Sequence, residues 1–72
     1  MSVYQRLRDL REDADKTQEE IARIIGTSQS YYAQYENGKR AIPFERMVSL
    51  AEYYNVSLEY IAGFIAEPRR LK

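Results

Sequence analysis

Seventy-two residues hold one small domain and not two. The chain is 44% hydrophobic and 31% charged, with three Gly and two Pro, which excludes a disordered composition. Eleven basic and eleven acidic residues cancel, so net charge alone makes no case for nucleic acid or membrane. With no Cys and no His, disulfides, thiolate and imidazole metal sites, and Ser-His or Cys-His nucleophiles are excluded. No metal, other cofactor or small-molecule substrate is therefore expected. The opening MSVYQRLRDLRED is too charged for a secretory leader, and the longest apolar run, Ile61 to Ala66, is far short of a membrane span. The expectation is a soluble, cytoplasmic protein.

Val3, Leu7, Leu10 and Ala14 recur at helical spacing, which predicts a first helix over about residues 2–13. Ala14-Asp15-Lys16 reads as the connection. Thr17-Gln18-Glu19-Glu20 fits a capping box, in which the Thr hydroxyl accepts from the third helical amide and the Glu reaches back to the cap. Ile21, Ile24 and Ile25 then form an apolar stripe over a helix at 18–25. Gly26 ends it at a left-handed position. Ser28 is a good cap for a third helix over 29–36, which Asn37-Gly38 stops.

Pro43 suits the first turn of a fourth helix over 43–54, with Phe44, Met47, Val48, Ala51 and Tyr54 as its apolar face. Val56 to Tyr60 alternates as a strand would. Leu58, Ile61, Ala62 and Ile65 instead match a helix capped by Ser57, and the chain offers no partner strand, so a fifth helix over 58–62 is the reading. The domain is expected to span 1–66, with 67–72 as a short basic tail.

Two short helices joined by three or four residues, Gly26 among them, form a helix-turn-helix layout. On a helical wheel with Gln29 at zero, Ala33, Asn37, Ser30 and Gln34 fall between about 40° and 140°. Tyr35, Ser28, Tyr32 and Glu36 fall between about 240° and 340°. One face of the third helix is thus small or amide-bearing and free of acid, while the other offers tyrosines for packing. Gln and Asn can pair with adenine N6 and N7, and phosphates would repel carboxylates there. An isolated polar face of this kind is most simply a solvated one. The adjoining helix, the short turn and Lys39-Arg40 turn the reading toward DNA.

The segment TQEEIARIIGTSQSYYAQYENGKR resembles the lambda-repressor-like helix-turn-helix family, the repressor/Cro type of phage and bacterial regulators. The likeness extends from about Tyr4 to Gly63. It implies an all-α, five-helix domain that binds operator DNA, usually as a homodimer. By that resemblance, Gln29, Ser30 and Gln34 occupy base-reading positions. Gln18 occupies a position that contacts the DNA backbone and supports the recognition helix. Asn37, Lys39 and Arg40 match the loop whose backbone and side chains hold phosphate. Arg11 and Glu36 match an ion pair tying the first helix to the end of the third. The wheel independently sets Glu36 near the packed edge, where a poorly solvated acid needs a partner.

Three departures stand out. Asp15-Lys16 replaces the usual Gly-Leu before the TQ, so Lys16 is expected to lay its stem on apolar surface. Tyr32 takes a position usually filled by a smaller aliphatic or another aromatic residue. Residues 9–20 carry six acids against two bases, an acidic stretch for a DNA-binding domain.

The functional expectation is a sequence-specific transcriptional regulator, a repressor that binds double-stranded DNA and dimerises at least on it. Tyr60, Phe64 and Ile65 are the candidate dimer surface. The alternative is a protein-interaction or antitoxin-like module with the same fold and weak DNA affinity. An enzyme is not expected, because no paired-carboxylate cleft is visible.

Overall fold

The structure is a computed structural model and describes residues 2–67. Its described residues form five helices and no strand: α1 (Val3–Asp13), α2 (Gln18–Ile25), α3 (Gln29–Glu36), α4 (Phe44–Tyr54) and α5 (Leu58–Ala62). The alternating segment at Val56 to Tyr60 is therefore helical from Leu58 onward. Of the tail expected at 67–72, only Glu67 is described, and it is exposed.

Four of these helices start on a side-chain oxygen that accepts an otherwise orphaned amide. Ser2 accepts from Gln5, Thr17 from Glu20, Ser28 from Tyr31 and Ser57 from Tyr60. At Thr17 the Glu20 carboxylate also accepts the Thr17 amide at 2.9 Å, completing the capping box. The fourth helix differs. Pro43 sits one residue outside it, in extended backbone at φ −61° and ψ 149°, rather than inside its first turn. Proline offers no side-chain acceptor, so α4 starts without such a cap.

Leu7, Ile21, Tyr32, Leu50 and Ile61 are fully buried and draw one residue from each helix into a common centre. Ala22, Ile25, Tyr35, Ala51 and Val56 complete the buried core. Two apolar faces are rotated from the sequence expectation. In α2, Ala22 is buried and Ile24 is exposed, so the inward arc runs through Ile21, Ile25 and Ala22. Ile24 lies about 110° from the middle of that arc. In α4, Phe44 is exposed, whereas Leu50, absent from the expected face, is fully buried. The inward arc there runs from Leu50 to Ala51, with Met47 and Tyr54 between them on the wheel. In α2 the bulkier Ile24 suggested the face, yet the smaller Ala22 is the residue that is buried.

Arg6, a charged residue of α1, is only 4% exposed. Its guanidinium lies 3.8 Å from the centre of the Tyr60 ring. Nη1 donates to the carbonyls of Tyr60 at 2.8 Å and Ile65 at 3.3 Å. One cation from α1 thus holds the end of the five-residue α5.

Candidate nucleic-acid interface

The turn between α2 and α3 is Gly26-Thr27-Ser28. Gly26 adopts φ +80°, and its amide and that of Thr27 fold back onto the carbonyls of Arg23 and Ala22. From α4, Arg46 Nη1 donates to the carbonyl of Ile25 and occupies a further acceptor at the end of α2. The short turn leaves one side of α3 against the protein and the other open.

The inner side is built around Glu36, whose carboxylate is entirely enclosed. Arg11 Nε donates to Oε2 at 2.7 Å and Nη2 to Oε1 at 3.1 Å, a two-pronged geometry that only a guanidinium supplies. Arg11 Nη1 donates as well to the carbonyl of Lys16 at 2.9 Å. Gln18 Nε2 donates to Glu36 Oε1 at 3.2 Å, and Arg8 Nε lies 3.7 Å from the same oxygen. Burial alone pushes the Glu36 carboxyl up, but hydrogen bonds from Arg11 and Gln18, with the Arg11 charge, help to outweigh it and hold it below the ordinary range. The hydrogen bond to Glu36 raises Arg11 in turn, against the opposing effect of its own burial. Burial pushes the Tyr32 and Tyr54 hydroxyls well above the usual phenol range, so both keep their protons.

The expected ion pair is therefore present, with Glu36 buried and Arg11 partly so, and Gln18 supports α3 from behind through Glu36. Lys16 is half-buried, with its amine 4.0 Å from Glu20. Asp15, where the family's usual pattern has Gly, takes a left-handed φ of +58°. Asp is among the few residues that tolerate that region.

The outer side of α3 presents Gln29 and Ser30 exposed and Gln34 half-exposed. These expected base-reading residues share one side of the helix, and no carboxylate of α3 is among them. Beyond α3, the amides of Asn37, Gly38, Lys39 and Arg40 all turn back onto α3 carbonyls. Those of Lys39 and Arg40 both reach the carbonyl of Gln34, at 3.0 and 3.3 Å. The loop was expected to hold phosphate through backbone and side chains. With these four amides engaged, the side chains of Asn37, Lys39 and Arg40, all exposed, are the groups left to do so.

The acidic stretch at residues 9–20 is partly neutralised. Glu19 pairs with Arg23 at 3.3 Å and Glu20 lies 4.0 Å from Lys16, while Asp9 accepts only from the uncharged Gln5 amide at 2.8 Å. At the other end, Phe64 is 83% exposed. It does not close over α1; Tyr60 and Ile65 are half-buried, held there through Arg6. Among the described residues no helix is long and apolar enough to cross a membrane, and no acidic cluster is placed to hold a metal.

This arrangement is that of a helix-turn-helix protein. The helix-turn-helix family profile matches residues 7–61, and the chain belongs to that family. Over 64 residues it is 41% identical to an uncharacterised HTH-type transcriptional regulator, YobD of Bacillus subtilis, covering 89% of this chain and 57% of that protein. Over 53 residues it is 38% identical to the cryptic phage CTXphi transcriptional repressor RstR of Vibrio cholerae, covering 74% of this chain and 48% of the relative. The chain thus spans about half the length of these curated relatives. The P22 c2 repressor, solved in complex with a synthetic operator, superposes with a TM-score of 0.80 at 19% identity, over 88% of this chain and 96% of that one. The fold is accordingly the lambda-repressor-like one that the TQEE and YENGKR segments suggested.

Proposed function

We propose that the chain is the DNA-binding domain of a transcriptional repressor, placing α3 in the major groove of operator DNA. Gln29, Ser30 and Gln34 read base edges. Gln18, Asn37, Lys39 and Arg40 hold the flanking phosphates. The domain occupies residues 1–66, and 67–72 is a short basic tail in sequence. No catalytic role is assigned to any residue. The observation that carries this reading is the contrast across α3: a clamped, fully enclosed Glu36 behind and an acid-free amide face in front. A helix held so firmly from one side can present a fixed set of donors and acceptors on the other. The family membership and the names of the relatives point the same way.

A single recognition helix spans a short half-site, so two copies are proposed to bind half-sites about 34–36 Å apart. Exposed Phe64, with Tyr60 and Ile65 beside it, is the proposed contact between them. The test is selection of bound duplexes from a random pool, followed by mobility shifts on the selected site. Gln29→Ala and Gln34→Ala should each cost about 1–3 kcal/mol and relax preference at separate base pairs. Lys39→Ala should weaken all sequences alike and lower the salt slope by about one. Equal loss on selected and random DNA for both Gln variants would remove α3 from sequence reading. Binding of one protomer per duplex, whatever the half-site spacing, would remove the dimer.

A further inference from the structure

Arg40, though exposed, folds back on α3 instead of extending away from the loop. Gly38, at φ +75°, reverses the chain, and the amides of Lys39 and Arg40 close on the Gln34 carbonyl. This brings the Arg40 side chain back along the last turns of α3. Its guanidinium lies 4.7 Å from the centre of the Tyr31 ring, and its Nε donates to Gln34 Oε1 at 3.4 Å. Gln34 Nε2 donates in turn to the Ser30 carbonyl at 3.3 Å. Tyr31 and Gln34 are one i, i+3 step apart, so a flat cation can stack on one and bond the other.

We propose that Tyr31 is a specificity-positioning residue: it seats Arg40, and Arg40 fixes which way the Gln34 amide faces. This rests on the reading that α3 enters the groove and Gln34 meets a base. A glutamine amide is free to flip end for end, and a flip exchanges donor for acceptor toward the base edge. Here the oxygen is held toward a cation and the nitrogen toward a carbonyl. The oxygen keeps a second lone pair and the nitrogen a second hydrogen, so both can still meet a base. Their order along the groove is fixed before DNA arrives, and a base with the opposite order meets like against like. Tyr31 is itself half-exposed, which makes it replaceable without opening the core.

Two substitutions separate this from a plain charge effect. Arg40→Lys keeps the positive charge but loses the planar stack and the Nε donor. Tyr31→Leu keeps bulk and loses the ring. Tyr31→Leu, which leaves every phosphate-holding side chain in place, should retain the wild-type salt slope and thermal midpoint. Both should reduce discrimination at the one base pair relaxed by Gln34→Ala, by about two- to fivefold, as for an exposed cation–ring contact. Tyr31→Phe should retain it. In the free protein, NMR should show the Arg40 Nε proton in proximity to the Tyr31 ring, and the Gln34 amide protons should shift in Tyr31→Leu. If Gln34→Ala relaxes a base pair that Tyr31→Leu and Arg40→Lys leave intact, the positioning role is overturned and groove reading stands. If Gln34→Ala relaxes none, the reading beneath it fails, whatever the free-protein spectra show.

Discussion

The segment from Thr17 to Asn37 and the segment from Phe44 to Glu67 are held together in different ways. In the first, the chain supplies its own local stops and starts: a complete capping box, a left-handed Gly26 and a Ser28 cap. The second has local signals too, a Ser57 cap and left-handed Asn55 and Gly63, but α4 begins without a side-chain cap, and the end of the short α5 relies on Arg6, which holds its carbonyls from the far end of the sequence. The first region buries Tyr32 and Tyr35 and leaves only Tyr31 among its aromatics half-exposed. The second leaves Phe44 and Phe64 in water. The proposed DNA reader lies in the region with the more local specification, and the proposed protein contact in the other.

The comparison breaks most easily at Arg11. Arg11→Ala leaves the enclosed Glu36 with weaker company and should cost about 3–5 kcal/mol in urea melts. Acid should reveal the same group. The Glu36 carboxyl lies below its unfolded value of 4.5, so its contribution is fully present above that pH and is lost as pH falls through the folded value. Glu36→Gln should flatten the acid limb of stability without abolishing it. Glu20, held low chiefly by its bond to the Thr17 amide, acts in the same direction.

Arg6→Ala tests the second region. Losing a charged donor from two carbonyls should cost about 1.5–3 kcal/mol by denaturant melts, with earlier loss of amide protection in α5 than in α2. Thr17→Ala removes one local cap from the first region and should cost about 1 kcal/mol in the same melts. Phe44→Ser should change the melting free energy by no more than about 0.5 kcal/mol, since the ring it removes is already largely in water. A large loss there would mean that the exposed end is packed more tightly than its surface indicates.

The same contrast governs how much could be read in advance. The ends of α2 and α3 were legible because capping chemistry is written within three or four residues. Glu36 was legible because the wheel placed an acid at a packed edge and Arg11 was at hand. Arg6 was not, since its partners, Tyr60 and Ile65, lie more than fifty residues away and are backbone carbonyls common to every sequence. Ile24 and Phe44 misled for another reason. Hydrophobicity alone does not fix how far a helix is turned about its axis, and packing buries Ala22 and Leu50 in their place. The loop geometry that turns Arg40 onto Tyr31 depends on a left-handed Gly38, and the NG pair announced a reversal without its direction.

Glu36 also bears on how the domain comes apart. Its carboxylate is bonded from α1 through Arg11 and from α2 through Gln18, so α3 cannot unravel at that end without breaking contacts in both neighbours. An eight-residue helix has little stability alone, because nucleation costs more than so few bonds return. Opening of α3 is thereby tied to opening of the whole, and its later amides should exchange with solvent only through global unfolding. The domain would then offer its amide face to a partner as a complete surface or not at all, with no population of half-formed readers to bind loosely elsewhere.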